Sequence, residues 1–128
     1  MAASTLNFAL KTVNDRAVRS CVTVTATDSD YTGTAFQVPI GTPLTLIVAA
    51  TAAGSSGSNF KLQGSVDGIN FATIKDINVV TSTGDLQAAG VLAEVHLPAV
   101  TGDWPWYRLY IDNNTSNGSA GTCWILQG

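Results

Sequence analysis

Apolar and polar residues alternate with a period of two through most of the chain, and this pattern predicts β-strands with one buried face. The alternation covers residues 18–27, 44–49, 60–66, 91–97 and 106–111, and shorter apolar runs at 71–74, 77–80 and 121–126 add further strands. No segment has the spacing of an amphipathic helix with capping residues. The sequence therefore predicts an all-β protein of about eight strands.

Short strands without helices between them favour an antiparallel β-sandwich. A jelly roll fits best, because its usual form has about eight strands in two Greek keys. An immunoglobulin-type sandwich is the alternative architecture. Asp67-Gly68 marks a hairpin between two of the strands, since both residues tolerate a positive φ.

The chain length of 128 residues fits one domain. Residues 17–128 form the predicted sandwich, and residues 1–16 carry few strand signals and are predicted to be an extended N-terminal arm. Such arms often reach a neighbouring subunit. Leu6 and Phe8 are the apolar side chains of the arm that we expect to contact that neighbour.

Charged residues make up only 12% of the chain, with six basic and nine acidic side chains and a net charge of −3. The basic residues are scattered, so the sequence predicts no nucleic-acid partner. No apolar run is long enough to cross a membrane, and the first residues do not resemble a signal peptide. We therefore expect no membrane partner and synthesis in the host cytoplasm without export.

Few side chains in the sequence are suited to catalysis. The single histidine, His96, has no nucleophile motif around it, and the acidic residues form no recognisable pair. Cys21 and Cys123 do not complete a metal site, although they would be neighbours if the first and last strands of the sandwich pair. The sequence predicts no catalytic residue, no metal ion and no cofactor, so we expect a protein that is not an enzyme.

Trp104-Pro105-Trp106-Tyr107 is the densest aromatic segment. One interpretation is a platform on which sugar rings stack. The other places Trp106 and Trp124 in the core, with Trp104 at an edge or a subunit contact. Aromatic residues in a chain with little charge also suit a protein–protein interface, so Trp104, Trp106 and Tyr107 are candidate interface residues.

Two stretches resemble a known family. Residues Leu62–Phe71, LQGSVDGINF, resemble a hairpin that recurs in phage structural β-sandwiches and in discoidin-like modules. Leu97-Pro98, followed by Trp106–Ile111, WYRLYI, and a glycine-rich turn before Trp124, resembles the later half of small capsid cement proteins of tailed bacteriophages. The most similar pattern is the jelly-roll cement family typified by the Bordetella phage head.

The resemblance extends from about Pro43 to Leu126 and implies a capsid decoration protein. Such a protein lies on the outer surface of the virion, binds the major capsid protein lattice as a homodimer or homotrimer, and stabilises the shell. Many weak contacts repeated over the lattice would supply the binding through avidity. The alternative from the aromatic segment is a carbohydrate-binding module or a tail-fibre protein that recognises host glycans.

Overall fold

The computed structural model describes residues 4–5, 12–13, 16–55, 57–81, 84–86, 92–97, 104–113 and 118–128. These residues form eleven strands: β1 Ser4–Thr5, β2 Thr12–Val13, β3 Arg16–Val24, β4 Tyr31–Thr32, β5 Phe36–Gln37, β6 Leu44–Ala52, β7 Ser58–Ser65, β8 Ala72–Val79, β9 Leu92–Leu97, β10 Trp106–Asn113 and β11 Ala120–Gln127. No helix occurs in these ranges.

The strands form two antiparallel sheets. Sheet A has the order β1-β3-β11-β6-β9, with β2 also on β3, and sheet B has the order β4-β10-β7-β8, with β5 also on β10. If β4 and β5 are counted as one interrupted strand, consecutive strands from β3 onward alternate between the sheets, except that β7 and β8 form a hairpin within sheet B, and together they make two interlocked Greek keys. This is the jelly-roll arrangement, so the predicted fold is confirmed.

The core lies between the sheets and is built from alternate strand positions. On β6 the inward residues are Leu44, Leu46, Val48 and Ala50, and on β10 they are Tyr107, Leu109 and Ile111. Phe60 and Leu62 of β7 complete its centre, and each is fully buried. The period of two that predicted the strands therefore also identifies the core side chains of these three strands.

Strand β3 departs from the predicted alternation because its pairing with β11 contains a bulge. Ser20 pairs with Ile125, whereas Val18 pairs with Leu126, so Arg19 is the extra residue on β3. A bulge reverses which face the following residues occupy. Val18 was expected to share a face with Val22 and Val24, but it packs with Cys21 in a separate cluster, away from the main core.

Strand β8 is continuous from Ala72 to Val79, although the sequence predicted a break at Lys75-Asp76. Its pairing with β7 shifts register beside Leu62, and this irregularity explains why the apolar pattern looks interrupted. The two-residue strands β4 and β5 were not predicted, because they are too short to show a period.

The described parts of the predicted arm pair within the chain. Ser4 and Thr5 pair with Thr23 and Val22 of β3, and β2 forms a tight antiparallel pair with the start of the same strand. Leu6 and Phe8 lie outside the described residues.

The sandwich has two ends that carry different connections. Trp106 at the start of β10 pairs with Gln37 on one side and with Ser65 on the other. The β5–β6 connection and the β7–β8 hairpin therefore leave from the same end, which we call the hairpin end. The connections after β3, β6 and β10 lie at the other end. We call it the network end, because the hydrogen bonds around Asn113 lie there.

Candidate interaction surface

The three aromatic residues predicted as an interface, Trp104, Trp106 and Tyr107, face different parts of the fold. Tyr107 is fully buried, and its ring stacks on Phe36 with the ring centroids 6.1 Å apart. Trp104 packs against the core, and its backbone N–H donates a 3.0 Å hydrogen bond to the Tyr107 hydroxyl. Trp106 lies half-buried on the outer face of sheet B. The prediction that Tyr107 belongs to an interface is corrected, because strand alternation turns it into the core.

Trp124 is also not a core residue. It lies on the outer face of sheet A, half-buried, against the cluster that contains Cys21, Val18 and Leu126. The interpretation that placed both Trp106 and Trp124 in the core is therefore wrong. Trp106 and Trp124 each occupy an outward position of a strand, next to an inward residue that fills the core.

The Asp67 carboxylate and the Ser65 hydroxyl hold the β7–β8 hairpin. Ser65 Oγ accepts hydrogen bonds from the backbone N–H groups of Asp67 and Gly68, at 3.2 and 2.9 Å. Asp67 Oδ1 accepts hydrogen bonds from the backbone N–H groups of Ile69 and Asn70, both at 2.8 Å, and from the Ser65 hydroxyl at 2.9 Å. The Asn70 amide donates a further 2.8 Å bond to Asp67 Oδ2. These donors stabilise the ionised form and hold the pKa of Asp67 well below its ordinary value. Gly68 has φ 76°, as the predicted Asp-Gly turn requires.

The hairpin end carries exposed aliphatic side chains. Val66 and Ile69 in the hairpin are 73% and 79% exposed, and Ile40 in the β5–β6 connection is 75% exposed. Among residues 17–55, 57–81, 84–86, 104–113 and 118–128, no other large hydrophobic side chain is comparably exposed. Gln37 and Ser65, where the two connections start, flank Trp106 on β10 and so lie about 10 Å apart, two strand spacings.

Trp106 joins the hairpin end to the outer face of sheet B. A Cβ built on Gly68 would lie 3.0 Å from the Trp106 ring, so the hairpin backbone rests directly on the indole. Arg108 and Tyr110 follow Trp106 at alternate positions of β10 and occupy the same outer face. The exposed hairpin and this face of β10 are therefore one continuous surface.

Cationic and aromatic side chains alternate along that face. The Arg108 guanidinium carbon lies 4.1 Å from the centre of the Phe71 ring and 5.8 Å from the centre of the Tyr110 ring. Lys61 Nζ lies 5.9 Å from the Tyr110 ring centre. The Tyr110 hydroxyl donates a 3.2 Å hydrogen bond to Asp30, and burial together with the negative charge of Asp30 raises the pKa of Tyr110.

Phe71, Arg108 and the exposed aliphatic residues are not among those that the sequence predicts to lie at an interface. For Arg108 the signal was present, because the alternation that buries Tyr107 places Arg108 beside Trp106. No comparable sequence signal exists for Ile40, Val66 and Ile69, since apolar residues in loops are exposed or buried according to the packing around them.

The residues considered for chemistry are dispersed. His96 lies on β9, in register with Thr45 of β6. Cys123 pairs with Val22, so it is close to Cys21 on the next strand as predicted, and both thiols are free and buried. Among the described residues, no three His, Cys, Asp or Glu side chains are grouped as metal ligands. The same residues contain no helix long and apolar enough to span a bilayer.

Comparison with known proteins gives only distant structural similarity. No protein-family model and no curated protein matches the chain. A chain from the disulfide-linked pili of Bacillus endospore appendages aligns with 95% of this chain and 96% of its own length, at 13% identity and a TM-score of 0.42. A chain of infectious bursal disease virus, Gx strain, aligns with 97% of this chain and 36% of its own length, at 14% identity and a TM-score of 0.28. Similarity at this level assigns neither a family nor a function.

Proposed function

We propose that the chain is a non-catalytic structural virion protein that decorates a tailed-phage capsid and docks on the outer surface of the major capsid protein lattice through its hairpin end. The observation that carries the proposal is the exposure of Ile40, Val66 and Ile69 at one end of the sandwich. Grouped exposed aliphatic side chains mark a surface that is buried against a partner. The resemblance of the hairpin to phage structural β-sandwiches, and of β10 to phage cement proteins, supplies the class of partner.

The hairpin is suited to docking because it is ordered before it meets a partner. Asp67 accepts hydrogen bonds from two backbone amides and two side chains of the turn, and Gly68 rests on Trp106. The two exposed side chains, Val66 and Ile69, are β-branched and have few rotamers to lose. A preorganised surface of this kind loses little conformational entropy on binding.

Capsid binding is tested directly with undecorated heads. Purified protein is added to expanded heads assembled from the major capsid protein of the same genome, and the heads are imaged by electron cryomicroscopy. We expect added density at repeated lattice positions on the outside of the shell. The absence of density at every lattice position contradicts the proposed function.

The docking end is tested with a paired substitution. Each aliphatic side chain contributes about 1.5–3 kcal/mol when fully buried, so Val66→Ser combined with Ile69→Ser is expected to weaken binding more than about tenfold. Thr51→Ala, at an exposed position near the network end, is the control and should bind like the unaltered protein. Equal binding by the paired variant excludes the hairpin end as the contact.

Self-association is part of the proposal, because decoration proteins of this kind act as homodimers or homotrimers. Light scattering on the free protein measures it, and a strict monomer over the tested concentrations counts against the decoration function.

Glycan recognition is the alternative function, and it would have to use a different set of residues from the one predicted. Of the three predicted aromatic residues, Trp106 alone is on the outer face of sheet B, where Phe71 and Tyr110 could join it. One face of the Phe71 ring is covered by Arg108, and the adjoining Val66 and Ile69 offer no π-face for a sugar. The surface therefore favours a protein partner.

A further inference from the structure

We infer that Arg108 is a preformed binding site for a carboxylate, supplied by an Asp or Glu side chain on the protein surface to which this chain docks. The inference rests on the proposed function for its partner, but it concerns different residues from the exposed aliphatic group. It is carried by the position of the Arg108 guanidinium on the outer face of sheet B.

Two contacts hold the Arg108 guanidinium in one orientation. Its Nε–H donates a 2.7 Å hydrogen bond to Gln63 Oε1 on the adjacent strand, and its plane covers the Phe71 ring at 4.1 Å. Gln63 is itself buried, and its amide donates a 3.4 Å bond to the Thr73 hydroxyl. The chain of contacts from Thr73 through Gln63 therefore fixes the arginine.

The part of Arg108 that binds carboxylates is left available. Within the described residues, Nε makes the hydrogen bond of this side chain, and no ion pair reaches the two terminal amino groups. These two groups form one edge of the planar fork, which matches the spacing of two carboxylate oxygens.

Charged groups of both signs share this face. Lys61 Nζ and the Arg108 guanidinium carbon lie 5.9 and 5.8 Å from the centre of the Tyr110 ring. Asp30 accepts the hydrogen bond of the Tyr110 hydroxyl, and Asp76 is the register partner of Lys61. The geometry of the Arg108 fork, rather than the net charge of the face, therefore favours a carboxylate.

The neighbouring side chains identify the carrier of the carboxylate as a protein. Trp106 lies between Arg108 and the hairpin, and the hairpin presents Val66 and Ile69. Tryptophan and arginine are enriched among the residues that dominate binding energy in protein–protein interfaces, and exposed aliphatic side chains beside them mark an interaction surface. A glycan with an acidic sugar would use the arginine but would leave the aliphatic side chains exposed.

The site is tested first on the free protein, with small probes. The ¹⁵N resonances of the Arg108 side chain are followed by NMR during titration with a tetraglutamate peptide, a tetraglutamine peptide and an oligogalacturonate. We expect the Arg108 resonances to shift with tetraglutamate and not with tetraglutamine. No shift with either acidic probe overturns the site, and a larger shift with the oligogalacturonate overturns the assignment to a protein carboxylate.

The site is tested next on capsid heads, with charge-matched variants. Arg108→Gln is expected to weaken binding at least about tenfold, because removal of one partner of a buried charge pair leaves the other charge buried and unpaired. Arg108→Lys should recover only part of the loss, since it keeps the charge but not the fork. Lys75→Gln removes one positive charge from the exposed part of β8 and is the control.

Equal losses in Arg108→Gln and Lys75→Gln would show that only the overall charge matters and would overturn the inference. Failure of the unaltered protein to bind heads contradicts the proposed function instead, while the titration still decides whether Arg108 binds a carboxylate. Circular dichroism and thermal unfolding confirm that each variant is folded.

Discussion

The Ser58 hydroxyl donates a hydrogen bond to the side-chain oxygen of Asn113, its register partner on the neighbouring strand, and both side chains are buried. The Asn113 amide donates to the backbone oxygens of Thr25 and Asp28, at 3.0 and 2.8 Å. Ser119 completes the group, since its backbone N–H donates a 2.9 Å bond to the Ser58 hydroxyl. These contacts tie together three connections at the network end.

Replacement of Asn113 by Ala is expected to lower the free energy of unfolding by about 2–4 kcal/mol, because the buried Asp28 carbonyl would lose its donor and the buried Ser58 hydroxyl its acceptor. Denaturant unfolding measures the change. Asn78→Ala is the control, because Asn78 is only half-buried and its amide makes one side-chain bond, to Asn59. We expect a loss of about 1 kcal/mol or less for the control, and similar losses for both variants would contradict a special role for Asn113.

Replacement of Gly64 by Ala is expected to destabilise the fold by about 1–3 kcal/mol through overpacking. A Cβ at this position would lie 2.8 Å from the Trp104 ring, which is confined by the core around it. Trp104 should move, so tryptophan fluorescence should change together with the unfolding midpoint. Ala72→Ser, at the exposed register partner of Gly64, is the control and should change neither.

Replacement of Asp67 by Ala is expected to loosen the β7–β8 hairpin without unfolding the sandwich. The amide protons of Ile69 and Asn70 would lose their acceptor, so their hydrogen exchange should accelerate. Asp76→Asn, which alters an exposed carboxylate within β8, should leave these two amides protected. Unchanged exchange in Asp67→Ala would show that other contacts hold the turn.

Acid should reproduce the effect of that substitution. The folded chain holds the pKa of Asp67 well below its ordinary value of 3.8. A lowered pKa contributes stability that is present above the ordinary value and is lost as the pH falls toward the folded value. The protection factors of the Ile69 and Asn70 amides, which compare their exchange with that of an unstructured peptide at the same pH, should therefore stay constant down to about pH 4 and fall below it, whereas Asp67→Asn should remove this fall.

Alkali should destabilise the chain through its buried thiols. Burial raises the pKa of Cys21 from 9.0 to about 11, and burial raises that of Cys123 as well, with a smaller contribution from the charge of Cys21. Above pH 9 the unfolded thiols lose protons that the folded thiols keep, so stability falls as the pH rises toward 11.

Unfolding midpoints measured from pH 8 to 11 test this expectation, and Cys21→Ala should flatten the dependence. Both thiols should also react slowly with iodoacetamide at pH 8.5 in the folded protein and rapidly in denaturant. Rapid labelling of Cys21 in the folded protein would show that its burial is transient. Cys123→Ala is the matched variant, because it removes the thiol that faces the core.

Local pattern was enough to locate most strands and one turn. Alternation placed β7, β9 and β10 within two residues and β6 within three, an apolar run placed β11 within one, and Asp67-Gly68 located the hairpin. Alternation also implied that Trp106 and Arg108 share a face. The prediction instead grouped Trp106 with Trp104 and Tyr107, its neighbours along the chain. The bulge at Arg19 could not be predicted, because it depends on the register of β3 against β11 rather than on either strand alone.

What the sequence by itself determined is the class of fold, because strand periodicity and turn chemistry act between residues close along the chain. Only the tertiary structure decided which surface is available to a partner. It buried Tyr107, left Val66 and Ile69 exposed, and stacked Arg108 on Phe71. These outcomes depend on residues far apart in the sequence that the order of strands in two packed sheets brings together, and local pattern carries no information about that order.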